Sequence, residues 1–191
     1  LLVFSTIILL WLILPTIAYI LFLSTSAYHF GQSQFTHYFK EQTIQTRLLF
    51  LSWGVLLLSG LMLFNSGELD QLAFDSSEFG ALHILNEAFL MNLAIGSGVM
   101  TFAIIIWMIY RKNLQKSHAL MELFVITMLL ISFYLLPFLI GFTLYFIILH
   151  AWKVMHEEFH FLKKADMVKN FSDFIKLLSP FSIISLIGIG L

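Results

Sequence analysis

Histidine is the residue type in this sequence with the greatest capacity for chemistry, because seven imidazoles are many for so apolar a chain. Ionisable side chains are costly at membrane depth, so they tend to pair, to face a bundle interior or to mark function. His29 closes one apolar run, in SAYHFGQSQF, and His150 closes another, in FTLYFIILHAW. Two neutral imidazoles on separate helices can jointly hold a transition metal. The pattern therefore predicts a metal site with His29 and His150; the alternative for each is a histidine that only bonds a neighbouring helix or lies at the membrane interface.

A second pair of histidines follows the late apolar run. His156 and His160 are four residues apart in HEEFH, a spacing that places both rings on one helix face, as in helical zinc sites. The same letters fit the His-Glu-x-x-His pattern of metalloproteases, with Glu157 as general base. A solvated helix at the membrane interface is the favoured interpretation, because the segment lies at the charged membrane border and no third ligand with suitable spacing follows. The other three histidines are interpreted as facing solvent: His37, His83 and His118.

Aromatic side chains flank both histidine positions, in a chain with 21 phenylalanines. They are expected either to line a cavity for a long apolar ligand or to pack and face lipid. No Ser-His-Asp arrangement, phosphate-binding glycine loop or dinucleotide fingerprint is present. Because the sequence has no cysteine, any metal ligands must come from His, Asp or Glu.

The elements that position these residues must lie in a lipid bilayer. The chain is 60% hydrophobic and 11% charged, with a mean hydropathy of +0.93. A net charge of -1 and the absence of any DNA- or RNA-binding pattern argue against a nucleic acid partner. In lipid every backbone polar group must be bonded within the chain, which favours helices. The sequence therefore predicts an all-α fold, a polytopic transmembrane helical bundle.

About seven helices are predicted, with the first and last clipped: 1–14, 15–30, 47–64, 89–110, 119–135, 137–155 and 179–191. Pro15 and Pro137 interrupt long apolar runs, and each is interpreted as a hairpin turn rather than a kink. This places every Lys and Arg, from Lys40 to Lys176, on one side of the membrane. That side is predicted to be cytoplasmic, in an integral protein of the bacterial cell membrane.

An internal similarity supports this layout. LILPTIAYILFLSTSAYHF resembles LLPFLIGFTLYFIILHAW, with a proline opening each segment and a histidine near the end of each. His29 lies 14 residues after Pro15, and His150 lies 13 after Pro137. At roughly 1.5 Å per residue, both imidazoles are predicted at similar depth.

Residues 157–178 differ from the spans, because apolar residues there alternate with lysines and acids. They are interpreted as an amphipathic helix in the headgroup region, a solvated connector being the alternative. The whole chain, 1–191, is predicted to be a single transmembrane domain. Both ends are expected to be cut, since each lies inside an apolar run shorter than the ~20 residues of a full span.

At SAYHFGQSQF and LYFIILHAWKVMHEEF the sequence resembles the Brp/Blh family of membrane β-carotene 15,15'-dioxygenases, and the resemblance covers most of the chain. It implies Fe(II) bound by histidines and the cleavage of β-carotene by O2 into two retinal molecules. It also implies a retinal-binding rhodopsin as an acceptor of the product. His29 matches the histidine of the family's HFG motif, and His150 matches the first histidine of its late motif.

The chain departs from the family pattern at two positions. Gln34 stands where an acidic residue is often found, and Val154 stands where a second late histidine is expected. His156 is the nearest substitute, six positions after His150, or ~240° around an ideal helix. A further His-Gly-Ala motif is expected upstream of this sequence. The resemblance thus implies His29, His150 and His156 as iron ligands. The aromatic residues expected to bind the polyene are Tyr28, Phe30, Tyr145 and Trp152.

Two other functions stay open. One is a haem-binding electron carrier with His29 and His150 as axial ligands, which would show an intense Soret band. The other is a transporter or structural membrane protein in which histidines merely join helices. Little charge is predicted at mid-membrane depth, which argues against a coupled ion pathway.

Overall fold

The computed structural model describes residues 10–39, 41–74 and 86–190, and every regular element in these ranges is helical. This confirms the predicted all-α class. Lys40, His83 and most of the predicted helix 1–14 lie outside the described residues. The chain divides into two units, Leu1–Tyr145 and Phe146–Leu191, and each is described by itself.

The first unit contains most of the long helices. In chain order they are α1 (Pro15–Phe35), a 3₁₀ turn (Thr36–Tyr38), α2 (Ile44–Phe64), α3 (Ser66–Phe74), α4 (Glu87–Tyr110), α5 (Lys116–Leu135) and α6 (Phe138–Leu144). Among the described residues, four stretches are long and apolar enough to cross a bilayer: α2, α4, α5 and Phe138–Lys164. The polytopic helical architecture predicted from composition is therefore confirmed.

Capping residues set where these helices begin. The Thr43 side chain accepts a hydrogen bond from the Thr46 N–H (3.4 Å) at the start of α2. The Asn86 side chain accepts one from the Phe89 N–H (2.9 Å) at the start of α4. The predicted starts at 47 and 89 are therefore three and two residues late, because caps precede the apolar runs. The predicted start at 119 is three residues late as well, since α5 begins at Lys116 without a side-chain cap. Helix α1 ends later than predicted: it passes residue 30 and continues to Phe35.

The chain reverses direction at Pro137, which confirms the predicted hairpin. Leu136 and Pro137 are both extended, with ψ near 145° and 151°, so α5 cannot continue into α6. A Cβ at Gly141 would lie 3.2 Å from the Phe133 side chain, which places α6 back along α5. The Glu68 carboxylate, on α3, accepts a hydrogen bond from the first backbone N–H of α6 (2.9 Å). A capping carboxylate there stabilises the new helix end.

Helix α2 forms the centre of the first unit. It packs against α1, α4, α5 and α6, and it is the most buried of the apolar spans. Its Ser52 hydroxyl bonds that of Thr101 on α4 at 3.0 Å, and both residues are buried. Asn65, at its end, donates to the Phe133 carbonyl at 3.2 Å. Polar links of this kind hold helices together where lipid supplies no hydrophobic driving force.

Helices α1 and α2 cross with their backbones in contact. A Cβ at Gly31 would overlap the carbonyl oxygen of Phe50, and a Cβ at Gly54 would overlap that of Ala27. The contact is thus reciprocal, with a small residue of each helix lying against the other's main chain. Small residues permit this approach between membrane helices. The crossing fixes α1, which carries His29, directly against the central helix.

The second unit contains a π-helical segment (Tyr145–Ala151, shared with the end of the first unit) followed by α7 (Trp152–Lys164) and α8 (Phe171–Gly190). The predicted helix end at 155 is wrong, because α7 continues to Lys164. The predicted single amphipathic helix 157–178 is also wrong, since the chain turns between the two helices at Asp166 (φ 57°). Leu162, Val168 and Phe174 pack together beneath this turn. The position of residues 157–178 in the headgroup region stays a prediction.

The helix crossing predicts that replacing Gly31 by alanine lowers stability much more than the same change at Gly96. Gly31→Ala forces a methyl group into the Phe50 carbonyl, so the helices must separate and the unfolding temperature of the purified protein in detergent should fall, at a cost of about 1–3 kcal/mol. Gly96→Ala is the control, because nothing lies within 4 Å of a Cβ there. It should leave the unfolding temperature equal or slightly higher, since alanine favours a helix. Equal behaviour of the two variants would contradict the backbone contact.

Candidate functional site

His29 lies on the face of α1 that is turned away from α2. Ala27 and Gly31 contact α2, and His29 is two residues from each, or roughly 200° around the helix. The side chain is accordingly exposed, and its ring lies 6.3 Å from that of Phe30. Ala27 and Gly31 pack α1 closely against α2 and leave the imidazole on the outer face.

Two of the aromatic residues predicted to bind substrate are in contact in the first unit. Phe30 and Tyr145 are both buried, with ring centroids 5.3 Å apart and nearly perpendicular planes. Tyr28 packs instead edge-on against Phe50, at 6.0 Å. Phe30 also lines an apolar cavity of about 200 Å³, whose wall comes mainly from α1, α2 and α6.

A second apolar cavity, of about 280 Å³, lies between α1, α2 and α4. Leu23, Leu58 and Met62 line both cavities, so these three side chains separate the two spaces. The wall of the cavity of about 280 Å³ contains the hydroxyls of Ser24 and Ser59. Each donates a hydrogen bond within its own helix, Ser24 to the Ile20 carbonyl (2.8 Å) and Ser59 to the Val55 carbonyl (2.6 Å). The cavity therefore offers a ligand an apolar wall.

His150 lies in the second unit, near the end of the π-helical segment. Its side chain is buried, at 8% exposure, and its ring lies 5.4 Å from that of Phe146. A π turn adds a residue to a helical turn and is frequent at functional sites. The structure thus places this predicted ligand in an irregular stretch of backbone that the sequence did not reveal.

The structure pairs His156 with His160. Their Nε2 atoms lie 3.3 Å apart on the exposed side of α7, so one ring holds a proton that the other accepts. Trp152 and His156 line a small cavity of about 130 Å³, together with Met155, Phe159 and Phe171. His160 was not among the predicted ligands, although its i, i+4 spacing in HEEFH was the signal for it.

The imidazoles of this chain are a ligand type that iron accepts. The His156–His160 separation is close to the roughly 3 Å between two nitrogen ligands on one ion. Imidazoles without thiolates suit a non-haem Fe(II) centre. Within the described part of each unit, however, no group of three or more His, Asp or Glu side chains is arranged to hold a metal. The assignment of His29, His150 and His156 to one metal stays a prediction.

A buried carboxylate that the sequence did not predict lies on α5. Glu122, on α5, is 2% exposed and accepts hydrogen bonds from Gln34 Nε2 (2.6 Å) and the Tyr38 hydroxyl (2.8 Å). The Tyr38 ring stacks on His118, with centroids 4.7 Å apart and planes at 27°. Another ring contact of Tyr38, at 3.7 Å, is with exposed His37. His118 is half-buried rather than simply solvated, which corrects its interpretation as a solvent-facing residue.

Tyr38 keeps its role as donor over a wide pH range. Burial, the hydrogen bond to Glu122 and the negative charge of Glu122 all raise the pKa of Tyr38 above its usual range. Each of these effects disfavours the phenolate. The hydroxyl therefore stays protonated and donates to the carboxylate at any physiological pH.

Tyr38→Phe tests this contact. The variant keeps the ring on His118 but removes a donor to a buried carboxylate, so it should lower the free energy of unfolding by about 1.5–3 kcal/mol. Tyr110→Phe is the control, because Tyr110 is 82% exposed, and it should leave unfolding in detergent unchanged. Equal thermal stability of the two variants would show that Tyr38 does not stabilise the carboxylate.

A comparison with known proteins identifies the family of this chain. A family model described as Beta-carotene 15,15'-dioxygenase matches residues 1–191, the whole of this sequence. No curated protein and no solved structure matches the chain. The family match agrees with the helical architecture, the apolar cavities and the histidines at the ends of two apolar runs. The chain therefore belongs to the beta-carotene 15,15'-dioxygenase family.

Proposed function

We propose that this protein cleaves β-carotene at its central double bond with O2 and releases two retinal molecules. The observation that carries the proposal is the family match over the whole sequence. The chemistry balances without another reactant: the carbon–carbon double bond breaks, and each carbon becomes an aldehyde that takes one oxygen atom from O2. The apolar cavities along α1 suit a substrate without polar groups.

The candidate ligands for Fe(II) are His29, His150 and His156, and the structure adds His160 as the neighbour of His156. Bound iron with open coordination positions would supply the activation of O2. The chain holds each imidazole by a different means. Buried surroundings enclose His150, and the facing ring of His160 orients His156. Cleavage asks for no carboxylate acid or base, so Glu157 and Glu158, which stand between His156 and His160 in the sequence, have no role in this scheme.

The aromatic residues would orient the polyene and exclude water. Phe30 and Tyr145 form a rigid edge-to-face pair next to the cavity of about 200 Å³, and His29 is the residue before Phe30. Trp152 lines the cavity beside His156. A polyene held against such rings is fixed by shape and dispersion, since it has no polar group to bond.

The cell membrane would supply the substrate and accept the product. β-Carotene dissolves in the lipid bilayer, and four apolar helical stretches are long enough to lie across one. The exposed basic residues Arg111, Lys112 and Lys116 lie in or beside the turn between α4 and α5, which supports a cytoplasmic position for this end. A retinal-binding rhodopsin in the same membrane is the proposed acceptor of the product.

Retinal formation by the complete gene in cells that make β-carotene tests the reaction. His29→Ala and His150→Ala should each lower the retinal yield and the iron content of the purified protein more than about 10-fold, because each removes a ligand. His83→Ala is the control, since the sequence predicts that this histidine faces solvent and binds no metal. Unchanged yields in the ligand variants would refute the assignment. An intense Soret band in the purified protein would instead indicate haem.

The side chains shared by the two cavities test where the polyene binds. Leu23→Trp fills space in both cavities, so the KM for β-carotene should rise several-fold, while a shortened carotenoid should be affected less. Leu120→Trp, at an exposed position on α5 that lines neither cavity, is the control. Both variants are compared at equal amounts of folded protein. An unchanged KM for Leu23→Trp would place the substrate elsewhere.

A further inference from the structure

Glu122 is an unusual residue for its position, because it lies in the apolar run ALMELFVITM of a membrane-spanning helix. A buried carboxylate is costly unless hydrogen bonds replace its lost water. Both of its oxygens are used: Oε2 accepts from Gln34 and Oε1 accepts from Tyr38. Neither partner is near in sequence, since they are 88 and 84 residues away. The carboxylate thus joins α5 to the end of α1 and to the turn that follows it.

This joint lies close to His29 along α1. Gln34 is five residues beyond His29, about 7.5 Å along the helix axis. On the face of α1 opposite His29, Ala27 and Gly31 hold the helix against α2 through backbone contact. That van der Waals contact sets the distance between the helices, whereas the direction of a hydrogen bond also resists rotation about the axis of α1. The two hydrogen bonds to Glu122 supply a directional restraint at the same end.

We propose that Glu122 is a positioning residue for the reaction, which holds the end of α1 through Gln34 and Tyr38 and so fixes the depth and rotation of His29. Glu122 itself contacts neither substrate nor metal in this scheme. The catalytic part of the inference rests on the proposed function, whereas the structural part does not. Displacement of a reacting or metal-binding group by about 1 Å can cost roughly 10²-fold in rate.

Three variants test whether the hydrogen bonds of Glu122, rather than its size, hold the end of α1. Glu122→Leu fills the site with an apolar side chain of similar size and removes both acceptors. Gln34→Glu places two carboxylates where an amide now donates at 2.6 Å. The double variant Gln34→Glu with Glu122→Gln exchanges amide and carboxylate, which restores that hydrogen bond in reverse and still offers Tyr38 an acceptor. Glu41→Gln, at an exposed carboxylate, is the matched control.

The first measurement is hydrogen–deuterium exchange of the full-length protein in detergent, which needs no activity. Deuterium uptake over residues 30–38 should rise in Glu122→Leu and in Gln34→Glu, and it should return to the original level in the exchanged double variant. Glu41→Gln should leave it unchanged. Unaltered uptake in Glu122→Leu would overturn the proposal, because α1 would then be held without the carboxylate.

The second measurement is the steady-state kinetics of retinal formation. The kcat of Glu122→Leu and of Gln34→Glu should fall roughly 10- to 100-fold, and the exchanged double variant should recover most of it. The KM should change little, because the residues of α1 that line the two cavities, 19–30, lie before the joint. Faster amide exchange with an unchanged kcat would overturn the positioning role. If the original protein forms no retinal, the proposed function fails, and the exchange measurement alone decides whether Glu122 holds α1.

Discussion

The backbone contact between α1 and α2 determines where the candidate site residues lie. Gly31 and Gly54 have no Cβ, so each helix rests on the main chain of the other at Phe50 and at Ala27. In lipid no hydrophobic force drives helices together, and dispersion across such a close contact takes its place. Once this face of α1 is committed to α2, the helical period puts His29 on the opposite face, with Phe30 between the two. The crossing thus determines which face of α1 each of these side chains occupies.

The polar contacts of the first unit complete what that crossing leaves free. Apolar surfaces in a bilayer slide and rotate at little cost, whereas a buried hydrogen bond has a direction and is expensive to leave unmade. Ser52 with Thr101 links α2 to α4, and Asn65 links α2 to the hairpin at Phe133. The Glu122 carboxylate links α5 to α1 by accepting a hydrogen bond from Gln34. These links therefore join α2 to α4 and to α5, and α1 to α5.

Composition and proline position were enough to predict the helical class and the Pro137 hairpin, because both express local physics: transfer into lipid and the missing N–H of proline. The hydrogen bonds of Glu122 escaped prediction because a sequence does not show which distant residue will meet a carboxylate. The turn near Asp166 was missed for a related reason. No proline or glycine marks it, and it forms because Leu162, Val168 and Phe174 pack together across the bend.

The π-helical segment explains why the late histidines do not behave as one regular row. In an unbroken α-helix the positions after His150 would follow a period of 3.6 residues, and the family's second late histidine would fall one turn on, at Val154. The π turn at Tyr145–Ala151 inserts a residue just before α7 begins, so the rotation that carries His150 into α7 is not that of an ideal helix. His150 is buried, whereas His156 and His160, within regular α7, share an exposed face and approach each other. An angular offset counted along an ideal helix is therefore a poor guide to how His150 is turned relative to His156.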